Sequence, residues 1–162
     1  IELCLVGSEM CIRDSNRTIL GDYIAQELVH KERIIFENHF FVVLIPFWAI
    51  WPFEAMIVPK IAQKDILELS DLEITLFAEA IAVLTQAYDK LFNCSFPYSS
   101  GIHQAPTNGE NNDHWHWHMS FYPPLLRSAT VKKFMVGYEM FGSPQRDITA
   151  ESAAIQLKNL ID

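Results

Sequence analysis

The sequence predicts an α+β domain in which helices flank an antiparallel β-sheet. Two long segments have apolar residues at helical spacing, and a third helical segment near the C-terminus follows a capping residue. Short runs of β-branched and aromatic residues lie between the helices, separated by turn-forming residues at hairpin distances. Parallel strands would need a helical crossover between most neighbours, so an antiparallel sheet is expected.

The helices are predicted from capping residues and apolar spacing, and they cover residues 16–31, 70–92 and 150–160. Ser70 and Glu73 have the spacing of a capping box, which makes the second helix the clearest of the three. Asp147 or Thr149 is expected to cap the closing helix.

The predicted strands cover residues 33–36, 40–45, 53–58, 96–103, 114–121 and 133–138. Pro59 is expected to end the third strand, and the Pro123-Pro124 pair is expected to stop the fifth. The polar segment 106–113 reads as a turn rich in asparagine and glycine. Residues 46–52 are interpreted as an aromatic loop that belongs to a core or a subunit interface.

Composition restricts the classes of function. A chain of 162 residues with a formal charge of −8 fits one domain that does not bind nucleic acid, since such binders are normally basic. No apolar run reaches the ~20 residues of a membrane helix, so no membrane partner is expected. The three cysteines form no CxxC pair or disulfide framework, which points to a reducing, cytoplasmic compartment.

Residues 1–15 are interpreted as a leader that is not part of the native domain. The segment has no secretory pattern, and LVGSEMCIRDS resembles a peptide translated from sequencing-adapter DNA. The alternative is a short, poorly ordered N-terminal arm. The domain itself is therefore assigned to residues 16–162.

The most informative segment runs from His114 to Glu139, and in its first part, His114 to Met119, histidines alternate with tryptophans. Residues two apart in a strand lie on one face, so His114, His116 and His118 are predicted to share a face. His103 ends the preceding predicted strand, and a hairpin would bring it close. Converging imidazoles are typical ligands of zinc or iron, and the alternative is structural histidines whose nitrogens are satisfied. The candidates for further ligands are Glu110, Asp113 and Cys94.

The same segment matches a second pattern, His-φ-His-φ-His-φ-φ, where φ is apolar, which is the histidine triad of nucleotide hydrolases and transferases. In that arrangement the middle histidine, here His116, attacks an α-phosphate. The last apolar position holds Ser120, an imperfect fit. A stand-alone triad hydrolase that uses His116 is therefore one hypothesis for this chain.

A basic and aromatic segment follows the histidines. Its lysines suit phosphate neutralisation, and its tyrosine, glutamate and glutamine suit hydrogen bonding to sugar hydroxyls. The alternative is a solvated charged face with core aromatics. The side chains concerned are Arg127, Lys132, Lys133, Phe134, Tyr138, Glu139 and Gln145.

The chain resembles the C-terminal half of the galactose-1-phosphate uridylyltransferase family, from about residue 20 to its end. The resemblance is carried by PFWAIWPFEAMIVPK, YDKLFNCSFPYSSGIHQAPTNGENNDHWHWHMSFYPPLLRSATVKKFMVGYEM and QRDITAESAA. The family belongs to the histidine-triad superfamily, and each subunit holds two related α+β halves. The resemblance implies transfer of UMP between UDP-glucose and galactose 1-phosphate through a covalent uridylyl-histidine.

The family's nucleophilic histidine lies in a His-Pro-His-Gly-Gln segment of the N-terminal half. This chain contains no such segment, so the resemblance implies no catalytic nucleophile here. It implies instead that substrate is bound, across a homodimer, by Lys133, Phe134, Val136, Tyr138, Glu139 and Gln145. A non-catalytic nucleotide-sugar-binding or dimerisation module is a further alternative.

The family's second metal site, for zinc or iron, uses three histidines and an upstream glutamate. His103 and His118 match two of these histidines, whereas the third position holds Ser120 and the glutamate would precede residue 16. His116 stands where the family often has glutamine.

Overall fold

The computed structural model describes residues 18–93, 95, 97–110, 112–123 and 148–161. Within these residues the structure has three α-helices and five strands, with a short 3₁₀ helix over Ile66–Glu68. The helices are α1 (Ile19–His30), α2 (Asp71–Phe92) and α3 (Ala150–Lys158). The strands are β1 (Ile34–Glu37), β2 (Phe41–Leu44), β3 (Ala55–Pro59), β4 (Ser99–His103) and β5 (His118–Tyr122).

The five strands form one sheet in the order β1-β2-β3-β5-β4, and every neighbouring pair is antiparallel. The α+β class and the antiparallel sheet expected from the sequence are therefore confirmed. β5 inserts between β3 and β4, so the end of the histidine segment lies inside the sheet. Among the described strands β4 lies at one edge, and all five of its residues are exposed.

Both faces of the sheet are buried at β2 and β3, because these strands carry apolar residues on both sides. On one face, α2 and α3 pack over a cluster that includes Phe41, Ile57, Leu84 and Trp117. On the other face, Ile24 of α1 leads a smaller cluster. Burial of such apolar area is the main term that stabilises the domain, at roughly 25 cal/mol per Å².

Helix ends follow the capping chemistry of the sequence. The Ser70 hydroxyl accepts from the Glu73 amide, and the Glu73 carboxylate accepts from the Ser70 amide at 2.8 Å, which confirms the capping box. Thr149, one of the two caps predicted for the closing helix, caps α3. Thr18 caps α1. The helices begin at these caps because each oxygen satisfies an amide that has no partner within its helix.

Arg33 ties α1 to α3 across the edge of the sheet. Its guanidinium bonds the Glu27 carboxylate and the Glu151 carboxylate, each at 2.7 Å. Glu27 is only 1% exposed, and its ion pair with Arg33 offsets the cost of burying the carboxylate. The bond from Arg33 also holds the pKa of Glu151 below its usual range.

The predicted strand 114–121 is wrong at its start, because β5 begins only at His118. Residues 113 and 114 form a turn, and the Trp115 amide bonds the Asn112 carbonyl at 3.0 Å. The Trp117 amide bonds the Gln63 carbonyl at 2.9 Å instead of a neighbouring strand. The strands predicted from 53 and from 96 also begin later, at Ala55 and Ser99. The predicted strand 133–138 and Asp147 lie outside the described residues.

Among the described residues, none of the helices combines the length and apolar character needed to cross a bilayer.

Candidate functional site

His103 and His118 form a cross-strand pair at the end of the β4–β5 hairpin. They are direct partners in the antiparallel register, and their rings stack with centroids 4.9 Å apart and planes 16° apart. The sequence expectation that a hairpin would join these two histidines is confirmed.

His118 has the environment of a neutral imidazole. Burial lowers its pKa to about 4, and the nearby His103 acts in the same direction. Its Nδ1 donates to the His116 carbonyl at 3.3 Å, which leaves Nε2 as the nitrogen with a lone pair. A neutral imidazole held through one nitrogen is the form in which histidine binds metals or accepts protons.

Ser120 lies beside this pair on the same face of β5, since it is two residues from His118. Its partner across the hairpin is Gly101, and an added Cβ on Gly101 would meet no atom within 4 Å. Ser120 itself is buried, with 7% of its surface exposed.

Among the described residues, the structure brings together two of the predicted metal-ligating side chains, His103 and His118. Within the described part of the chain, no group of three or more histidine, cysteine, aspartate or glutamate side chains gathers to hold a metal ion. Glu110 and Asp113 therefore do not complete a site with His103 and His118. Cys94, the other candidate, lies outside the described residues.

His116 is a structural cross-link, and the prediction that it shares a strand face with His114 and His118 is wrong. Its ring is buried, and Nε2 donates to the Pro59 carbonyl at 2.8 Å. Its Nδ1 lies 3.2 Å from the Thr18 hydroxyl and accepts from it. Burial lowers the pKa of His116, which favours the neutral ring.

The Thr18 hydroxyl extends this link into α1, because its oxygen also accepts from the Gly21 amide at 2.9 Å. His116 thus joins the end of β3 to the N-terminus of α1. Sequence reasoning missed this role. The helix predicted over residues 16–31 placed Thr18 inside the helix, and no local signal connects Thr18 with a histidine 98 positions away.

The predicted substrate-binding residues lie outside the described part of the chain, as do Arg127 and Lys132. They are Lys133, Phe134, Val136, Tyr138, Glu139 and Gln145. The last described residue before them is Pro123, directly after β5. Its carbonyl accepts a hydrogen bond from the indole of Trp51, a contact that the sequence did not indicate.

Comparison with known proteins identifies the fold and the family. The family described as galactose-1-phosphate uridyl transferase, C-terminal domain, matches residues 8–162. Galactose-1-phosphate uridylyltransferase of Haemophilus influenzae is 56% identical over 142 residues, which is 88% of this chain and 41% of that protein. A solved uridylyltransferase structure matches with a TM-score of 0.83 at 25% identity, over 99% of this chain and 50% of that one.

A zinc-bound histidine triad family protein from Mycobacterium smegmatis shares the fold alone. Its TM-score is 0.53 at 15% identity, over 79% of this chain and 82% of that one. The histidine-triad-like fold expected from the sequence is thereby confirmed. The chain spans about two-fifths of the length of the Haemophilus influenzae relative. It belongs to the galactose-1-phosphate uridylyltransferase family and corresponds to the C-terminal domain of that family.

Proposed function

We propose that this chain is the substrate-binding half of a uridylyltransferase that moves UMP between UDP-glucose and galactose 1-phosphate. The observation that carries the proposal is the 56% identity, over 88% of the chain, to a relative named for this activity. Phosphoryl-group transfer depends mainly on positioning and charge neutralisation. Lys133 would neutralise a substrate phosphate, and Tyr138, Glu139 and Gln145 would bind sugar hydroxyls.

The nucleophilic histidine would come from the other half of the enzyme. A nucleophile needs an accessible lone pair, whereas the lone pair of His116 accepts from Thr18 and its side chain is only 5% exposed. This burial argues against the alternative of a stand-alone triad hydrolase that uses His116. The chain's own contribution is then to bind and orient the nucleotide sugar and the sugar phosphate.

We further propose His103 and His118 as two ligands of a zinc or iron site that other residues complete. The neutral ring of His118, held through Nδ1, fits a ligand role, and the stacked His103 ring lies within reach of the same ion. Two imidazoles alone do not form a structural site, which usually has four ligands. When bound, such an ion would stabilise the hairpin end, and no catalytic step is assigned to it.

We also propose a homodimer in the cytoplasm. The homodimer is supported by the family resemblance of residues 133–145, whose counterparts bind substrate in the neighbouring subunit. The cytoplasmic compartment is supported by three cysteines without a disulfide framework.

Intact mass after incubation with UDP-glucose tests the central proposal. The chain alone should gain no uridylyl group. A hybrid with the N-terminal part of the Haemophilus influenzae relative placed before residue 18 should gain one group and release it to galactose 1-phosphate. In that hybrid, Lys133→Ala should raise the KM for galactose 1-phosphate, since a phosphate contact is lost.

Two outcomes would contradict the proposal. A uridylyl group on the chain alone that disappears in His116→Asn would identify a triad enzyme with its own nucleophile. A hybrid that binds UDP-glucose but never becomes labelled would identify a binding module without turnover. Unchanged kinetics in Lys133→Ala would remove that residue from the phosphate site.

A further inference from the structure

The polar turn between β4 and β5 contains the chain's one Asn-Gly pair, Asn108-Gly109. Every other asparagine is followed by a residue that carries a side chain. Both residues of the pair are exposed, and Gly109 has a φ of 77°, in the left-handed region that favours glycine. Because residue 109 has no Cβ, its own side chain cannot shield its amide nitrogen from the neighbouring Asn108 side chain.

Hydrogen bonds hold both polar atoms of the Asn108 side-chain amide. Its Oδ1 accepts from the Glu110 amide at 3.1 Å and from Nδ2 of Asn112 at 3.0 Å. Its Nδ2 donates to the Glu110 carboxylate at 3.1 Å. Asn112 is only 8% exposed and also donates to the Pro106 carbonyl at 3.1 Å. The donor from Asn112 is therefore itself held in place.

This arrangement suits nucleophilic attack on the carbon of the side-chain amide. Donors aimed at a carbonyl oxygen stabilise the negative charge that develops on it in a tetrahedral intermediate. A carboxylate beside the leaving nitrogen can take up a proton and return it as the bond to carbon breaks. The attacking nitrogen belongs to the next residue, so the chain already holds the two reacting groups together.

We propose that Asn108 is a self-modification site, where the contacts of the turn promote deamidation. The Gly109 nitrogen forms a bond to Cγ of Asn108, the Cγ–Nδ2 bond breaks, and the proton lost by Gly109 leaves with Nδ2 as ammonia. Water then opens the five-membered imide at either carbonyl, which gives aspartate or isoaspartate. In both products a carboxylate replaces the amide that had donated to Glu110. The reaction needs neither the other half of the enzyme nor a substrate.

Asn38 is an internal control with closely similar polar contacts. Its Oδ1 accepts from the amides of Phe40 and Phe41, at 3.2 and 2.9 Å. Its Nδ2 donates to the Glu79 carboxylate at 2.8 Å. The next residue is His39, whose side chain hinders approach of its amide nitrogen to the Asn38 side chain. Comparison of the two asparagines therefore separates the contribution of glycine from that of the hydrogen bonds.

Peptide mapping by mass spectrometry follows the reaction in the whole chain during storage in mildly alkaline buffer. Fragmentation should place a gain of one mass unit, with isoaspartate, at residue 108, whereas Asn38 should stay unchanged. Asn108→Gln should abolish the gain at this position, because ring closure through the longer side chain is slower. An unmodified Asn108, or equal modification of Asn38, would overturn the proposal.

Glu110→Gln tests the contribution of the turn, because it keeps the shape of the side chain and removes the base. Deamidation of Asn108 should slow several-fold in this variant. Glu79→Gln is the matched control, since it alters the carboxylate beside Asn38 and should leave the rate at Asn108 unchanged. An equal or faster rate in Glu110→Gln than in the parent chain would show that the contacts of the turn do not promote the reaction, which contradicts the proposal.

Discussion

Substitution of His116 distinguishes a buried structural cross-link from an available nucleophile. His116→Ala removes the donor to the Pro59 carbonyl and the acceptor for the Thr18 hydroxyl, which lie 2.8 and 3.2 Å from the ring. His116→Gln keeps one donor and one acceptor on a side chain of similar reach. The two variants therefore differ mainly in whether the partners of His116 stay hydrogen bonded.

The magnitude follows from these two bonds. Each is worth about 0.5–1.5 kcal/mol net, and a buried polar group left without a partner costs about 1–3 kcal/mol. The Pro59 carbonyl would incur this penalty, because its bond to His116 is buried and water cannot replace the lost donor. We expect His116→Ala to lose about 3 kcal/mol of unfolding free energy, and His116→Gln to lose about 1 kcal/mol or less.

Urea unfolding near neutral pH, followed by circular dichroism, measures both values. His39→Ala is the control, since His39 is exposed and should change stability by less than about 0.5 kcal/mol. A loss below about 0.5 kcal/mol in His116→Ala would refute the cross-link. An equally large loss in the glutamine variant would show that packing of the ring, rather than its hydrogen bonds, stabilises the domain.

Three further predictions concern pH, packing and metal binding. The pKa of His118 is about 4 in the fold and about 6.5 when unfolded, so its contribution is complete above pH 6.5 and lost as pH falls toward 4. Urea unfolding should show about 1.4 kcal/mol lost near pH 5.5, and an identical slope in His118→Asn would disprove this source. Leu84→Ala removes a fully buried side chain and should cost about 2–5 kcal/mol, whereas a cost below about 1 kcal/mol would indicate a loosely packed core. Ser120→His adds a third imidazole beside the pair and should tighten Co²⁺ binding on the order of tenfold in optical titration, unlike Ser120→Asn. Equal affinity in both variants would show that position 120 does not reach the two histidines.

Helix termini were predictable because their signals are local. Ser70 and Glu73 are three residues apart, and their reciprocal bonds require nothing from the rest of the chain. The hairpin between β1 and β2 was predictable for the same reason, since both strands and the connecting turn lie within a dozen residues. The antiparallel class followed from the short links between strands.

The histidine segment was harder to predict, because alternation alone does not make a strand. His116 and Trp117 alternate like strand residues, but their polar atoms bond Pro59, Thr18 and Gln63, far away in sequence. These tertiary bonds replace the ladder until His118, where pairing with His103 begins. Of the predicted histidine cluster, the part that formed is therefore the pair of His103 and His118 in the β4–β5 hairpin.

By itself, the sequence determined the α+β class, the caps of α2 and α3, the family and a hairpin that brings His103 near the histidine segment. These features depend on short-range spacing or on motifs that are read directly from the residues. The tertiary structure decided that His116 is a buried cross-link and that Trp51 contacts Pro123. Both outcomes depend on which distant carbonyl or hydroxyl satisfies a buried N–H or ring nitrogen, and that choice is made only when the elements pack.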